Sequence, residues 1–202
     1  MLFRSVLAAT QIGALTVSQV AALTSTQVKN LSATQLGGLS ATQVGAFETT
    51  DIAALTTTNI VALSTTQIAA LTAAQVAALT TTQVAAVQTT DIAVLSAAQI
   101  AAFTVTQITA LTNTQVKTFS ATQFGAIEAA DIAGLETTDI AGLTTTQLDG
   151  ITATQISALS TTQIDFLSTT QIFSLNATQE AGFNGTQIAS MTATQQAALD
   201  GI

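Results

Sequence analysis

From Gln11 to Gln195 a polar residue, nearly always glutamine, stands at every eighth position of this chain, with no insertion or deletion in between. Residues 7 to 198 are thus 24 consecutive octads in one register, and the repeat has to be read before any helix or strand is assigned. The unit can be written L-[ST]-x-T-Q-[IV]-A-A, with positions a to h. Position a is apolar in every copy, from Leu7 to Met191, and position f is apolar in 22 of 24. Two large apolar side chains per octad therefore form the core. Position h is Ala, Gly or Ser in 20 copies, which marks a place where other backbone comes close. Position c varies among Ala, Thr, Val, Ser, Asn and Gly and reads as solvent-facing.

A period of eight limits the geometry. In one continuous α-helix eight residues advance about 800°, so the apolar stripe would drift by roughly 80° per octad and cover every face. Strict alternation is absent too, because f, g, h and a are commonly four apolar residues in a row, which argues against a half-buried strand. The unit does match the start of a helix. Ser or Thr at b followed by Gln at e is a capping box, in which the hydroxyl accepts the N3 amide and the Gln reaches back to the cap's own N–H. The apolar residues at a and f then occupy N′ and N4, the positions of the hydrophobic staple. Leu71-Thr72-Ala73-Ala74-Gln75-Val76-Ala77-Ala78 shows every element at once. The expected fold is all-α: a single solenoid domain over residues 1–202, a superhelix of 24 very short helices, one per octapeptide, with frayed or capped ends. A β-solenoid is the alternative fold. One octad buries too little apolar surface to order itself, so stability has to come from contacts between copies.

Two departures from the consensus are informative. Where e is Asp (Asp51, Asp91, Asp131, Asp139), b is Glu48, Gln88, Glu128 and Glu136, and no other octad has Glu or Gln at b. A short b with a long e is exchanged for a long b with a short e, as if the two side chains shared one space or one hydrogen-bond network. Glu is a poor N-cap, so capping alone does not account for the exchange. Separately, Ser40 to Asp51, Thr80 to Asp91 and Ser120 to Asp131 are near-copies spaced five octads apart. That spacing fits either a superhelical turn of five octads or duplication of a five-octad block.

Composition excludes most chemistry. The 202 residues contain no His, Cys, Pro, Trp or Tyr, so the usual zinc sites, disulfide frameworks and Ser–His or Cys–His nucleophile pairs cannot be built. Three basic residues, Arg4, Lys29 and Lys117, against 11 acidic ones cannot neutralise a phosphate backbone, so no nucleic-acid partner is expected. Apolar runs of about four residues fall far short of the roughly 18–20 a membrane span needs. The segment Met1 to Ala9 carries one positive charge and is broken too soon by Thr10-Gln11 to read as a signal peptide. No catalytic, cofactor-binding or metal-binding residue is expected, and no cofactor.

The remaining candidates have structural explanations. Glu128, Asp131, Glu136, Asp139 and Asp149 are the densest charges and could approach Ca²⁺, but the Asp-x-Asp-x-Asp-Gly spacing is missing and the helix dipole explains Asp near N-termini. The pairs Glu48/Asp51, Glu128/Asp131 and Glu136/Asp139 recur as features of the repeat rather than as one acid–base site. Phe47, Phe103, Phe119, Phe183 and Phe124 replace Leu or Ile in the core, whereas Phe166 and Phe173, at h and g, are expected to be exposed and are the first place to look for a partner. Glu180 and Gln196 at f fit either a polar cap near the C-terminal end or simple decay of the last repeats. The Thr rhythm at b and d invites comparison with hydroxyl ladders that bind ice, although such ladders need strands about 4.8 Å apart.

The octads L-[ST]-x-x-[QD]-[IV]-x-A resemble the octapeptide arrays of very large Thr- and Ala-rich bacterial proteins of the secreted or surface-attached kind, over residues 7 to 198. That resemblance implies a stalk, spacer or self-assembling scaffold, non-enzymatic and located outside the cell or on its surface. Its partners would be further copies of itself, a protein or a glycan. The alternative is a binding module that uses the Thr/Gln-rich face for a glycan, ice or a protein.

Overall fold

The computed structural model describes residues 7–201. Most of the segment read for a signal peptide, and Phe3 with it, lies outside the described residues. Each of the 24 octads forms one helical segment: 23 α-helices of four to seven residues, from Ala9–Gly13 to Ala193–Leu199, and one 3-10 turn at Ile132–Gly134. No strand occurs among the described residues, which removes the β-solenoid.

The capping box builds these helices as the octad implies. Thr72 is extended (φ −71°, ψ 158°), its hydroxyl accepts the Gln75 amide at 3.2 Å, and its own N–H donates to Gln75 Oε1 at 2.7 Å. The same reciprocal pair recurs in nearly every octad with Ser, Thr or Asn at b, for example Ser160 with Gln163 and Asn184 with Gln187. Each helix stops when the next position a returns to extended backbone, as at Leu111 (φ −64°, ψ 137°). Positions a and f supply the core, with Leu71, Val76, Phe119, Phe124 and most of their equivalents buried; Leu7, Leu15 and Leu23 are half-buried and Ile188 is exposed.

The described residues form two compact units, divided between Ala102 and Phe103. In both, a helix packs against the third helix after it: Ser25–Lys29 against Thr49–Ala54 in the first unit, Thr169–Phe173 against Ala193–Leu199 in the second. Side-chain bonds between turns span 28 and 31 residues, so a turn takes about three and a half octads (28/8) rather than five. The five-octad spacing of the near-copies is therefore not the superhelical turn. It is a period of the sequence only, because the reach from e to the turn below sets the turn length.

Position h is small for the expected reason. A Cβ on Gly38 would stand 2.5 Å from the Ala9 carbonyl oxygen, and one on Gly134 2.7 Å from that of Val105, each of them on the turn below. The atom approached belongs to position c, so c is not simply solvent-facing. Its backbone lines the contact between turns, and Ser25 and Asn113 at this position are half-buried.

Candidate functional site

The chemistry of the repeat is concentrated in the side chain at e. A helix this short leaves most of its N–H and C=O groups without intrahelical partners. Gln67 serves both kinds. Its Oε1 accepts the Ser64 N–H at 2.9 Å, while its Nε2 donates to the carbonyls of Leu36 and Leu39, each at 2.8 Å, in the turn below. The pattern repeats at Gln83 with Ile52 and Leu55, and in the second unit at Gln155 with Phe124 and Ile127 and at Gln187 with Ile156 and Leu159. These amides are almost fully buried, Gln155 being 1% exposed. From Gln35 onwards the Thr/Gln-rich face expected from the sequence thus loses its e-position glutamines to the interior, whereas Gln11 and Gln19 stay exposed. Sequence reasoning credited Gln with the capping half of this role and missed the cross-turn half. The signal was present: a capping box tolerates Glu at e, yet no octad has Glu there, and the long side chain at e is always the one that can also donate.

The Asp octads show what happens when the donor is absent. Asp51 Oδ2 accepts the Glu48 N–H at 3.1 Å and Oδ1 accepts the Ser25 hydroxyl at 2.8 Å from the turn below. Asp139 does the same with the Glu136 N–H at 3.0 Å and Asn113 Nδ2 at 2.9 Å. Each partner below sits at position c, 26 residues earlier, and supplies the proton that a carboxylate lacks. At Asp91 the corresponding residue is Thr65, whose hydroxyl does not reach it, and Asp91 Oδ2 is the one buried side-chain polar atom without a partner among the described residues. Burial raises the Asp91 pKa above its ordinary value, partly offset by the Gln88 backbone N–H. At Asp131 the corresponding residue is Val105; Asp131 is only half-buried and its octad forms the 3-10 turn.

The suspected b–e exchange has a partial physical basis. Gln88 Nε2 reaches across to the Val61 carbonyl at 3.0 Å, so a long amide at b restores a bond to the turn below when e is Asp. Glu48 and Glu136 have no donor to offer; they are exposed, form no side-chain cap bond, and contribute their backbone N–H alone.

The other sequence candidates are dispersed. Glu128, Glu136 and Asp149 are exposed while Asp139 is buried, and no three acidic side chains converge to a metal-binding group among the described residues. Phe166 and Phe173 are exposed, at 48% and 63%, as expected. Gln196 Nε2 donates to the Ile188 carbonyl at 2.8 Å, and Glu180 is half-buried. No helix among the described residues is long and apolar enough to cross a membrane. Position d is Ser or Thr in 21 of 24 octads and exposed in all of them.

A family model, the ALTTAQ repeat, matches residues 44–81, 84–121 and 124–161, three times in tandem and over more than half of the chain. The chain belongs to the ALTTAQ repeat family. The three ALTTAQ matches start five octads apart, at the spacing of the near-copies, which assigns that period to the sequence block and not to the superhelix. Each ALTTAQ match carries Asp at position e, Asp51 in the first, Asp91 in the second, and both Asp131 and Asp139 in the third. No curated protein matches the chain.

Proposed function

We propose that this ALTTAQ array is a non-enzymatic structural module, a stalk, spacer or self-assembling scaffold of a bacterial surface or secreted protein. The observation that carries this reading is the ladder of e side chains. From Gln35 onwards the carboxamide at e, the side chain with both donor and acceptor capacity, is buried and holds one turn to the next, as in Gln155 with Thr152, Phe124 and Ile127. What remains outside is mainly a hydroxyl surface with scattered charges and a few exposed apolar side chains such as Phe166 and Phe173. Light scattering and electron microscopy on the purified chain, together with a glycan-binding screen, test the reading. Inert monomers or ordered assemblies without saturable glycan binding are expected; monomers alone with saturable glycan binding would overturn it.

A second reading rests on position d. An exposed hydroxyl kept in 21 octads exceeds what packing demands, and a row of Thr methyls and hydroxyls is a surface that a glycan or ice could engage. Replacing Thr by Ala at d in several neighbouring octads should abolish any such binding while leaving the helical circular dichroism unchanged.

A further inference from the structure

The octad of Asp91 lacks a donor where every regular octad has one. By the register of Gln83 and Gln99, which donate to the carbonyls of Leu55 and Leu71, the carbonyl 28 residues below Asp91 is that of Leu63. Among the described residues no donor bonds to it, and Asp91 Oδ2 also lacks a partner. Two buried acceptors with no proton between them cannot both stay desolvated without cost. We propose that Asp91 works as a protonated acid whose Oδ2–H donates to the Leu63 carbonyl, so that this single contact between turns is made and broken by pH.

The chain contains its own precedent for the geometry. Asn59 occupies e as well, and its carboxamide has the shape of a protonated aspartic acid. Its Oδ1 accepts the Thr56 N–H at 3.0 Å and its Nδ2 donates to the Leu31 carbonyl, again 28 residues below, at 2.9 Å. A side chain of Asp length at e therefore spans the gap if its outer atom carries a hydrogen. Asp51 and Asp139 do not need this solution, because Ser25 and Asn113 already donate to them from below.

The electrostatic surroundings favour the neutral form. Asp91 is 2% exposed. Its helix, Thr89–Ile92, packs against Thr65–Ala69, and neither that helix nor the flanking Thr81–Ala86 and Ala97–Ile100 carries an ionisable side chain. From Ile52 to Val116 Asp91 is the only charged residue in the chain. The first cation beyond it, Lys117, lies along Gly142, with Cε 2.7 Å from where a Cβ on that glycine would stand. Burial without a counter-charge raises the pKa of Asp91. A carboxyl whose folded pKa exceeds its unfolded one contributes stability that is full at low pH and is lost as pH rises through the folded value. Acid thus tightens this joint and neutral pH loosens it, in contrast to the usual carboxylate in a protein.

Two measurements on the full chain test the proposal. Carbon-13 carboxyl shifts followed from about pH 3 to about pH 8 should show Asp91 titrating above the usual aspartate range of about 3.9; titration within or below that range would overturn it. Asp91→Asn makes the donor permanent. Its melting temperature should exceed that of the parent by a gap that widens by about 3–6 °C between acid and neutral pH, and a gap constant across that range would equally overturn the proposal. The titration needs only the parent chain and stands even where the variant fails to fold.

Discussion

Two adjacent octads, Ile127 to Gly134 and Leu135 to Gly142, share Glu at b, Asp-Ile-Ala-Gly at e to h and an aliphatic residue at a, and yet they fold differently. The second forms the α-helix Thr137–Gly142 with Asp139 buried; the first forms only the 3-10 turn Ile132–Gly134, with Asp131 half out of the core. The difference lies on the turn below. Asn113 donates to Asp139 Oδ1 and to the Thr138 carbonyl, both at 2.9 Å, whereas Val105 has no donor for Asp131 and its Cγ2 would crowd a Cβ on Gly134 at 3.2 Å. A solenoid octad is thus completed by the turn beneath it, whose residues take part in setting its geometry.

The largest effect should come from removing a rung altogether. Gln155→Leu strands the Thr152 N–H and the Phe124 and Ile127 carbonyls, at about 1–3 kcal/mol for each unsatisfied group, so urea unfolding should show a total loss of at least about 3 kcal/mol. Gln155→Glu, which keeps the capping oxygen and the bulk but not the donor, should lose nearly as much at neutral pH; a near-neutral effect would show that the Nε2 bonds contribute little.

Breaking the paired octads comes next. Asn113→Val should make the Asp139 octad resemble that of Asp131, costing about 1–3 kcal/mol by leaving a buried carboxylate oxygen unserved. The Cα chemical shifts of Thr137–Gly142 should lose helical character while those of distant octads stay fixed. The reciprocal Val105→Asn offers Asp131 the missing donor and should gain about 1 kcal/mol. It should also move Ile132–Gly134 towards α-helical shifts; no change there would point to Ala129 and Ala130, which replace Thr137 and Thr138, as the cause.

Smaller effects separate the cap from the surface. Ser160→Ala removes the hydroxyl that accepts the Gln163 amide at 3.1 Å and should cost about 1 kcal/mol. Thr162→Ala, at the neighbouring exposed d position, should stay within about 0.5 kcal/mol. Equal losses at the two sites would mean that position d has a structural duty in the fold.

These contrasts explain which parts of the molecule could be read from the octad. The capping box was legible because it acts within one unit, between near neighbours along the chain, as in Thr72 with Gln75, and the burial of a and f was legible from their constant apolar character, as at Leu71 and Val76. The small h was legible because a steric demand leaves its mark in composition. The turn length was not, since it depends on how far an amide at e reaches to backbone 28 and 31 residues away, and backbone carries no sequence signature. Position c was misread because its variability hides a conditional rule: its identity matters when an Asp stands 26 residues later, as Ser25 and Asn113 show.

The claim on which everything else rests is that the e side chain joins turns about three and a half octads apart. Gln155 offers the cleanest place to test it, because Phe124 is the one aromatic residue at position f and gives resolved signals. In a nuclear Overhauser experiment on the full chain, the Gln155 side-chain amide protons should contact Phe124 and Ile127, whose carbonyls they approach. Contacts instead to Gln115 and its neighbours, five octads earlier, or an amide free of contacts to any earlier octad, would contradict the account.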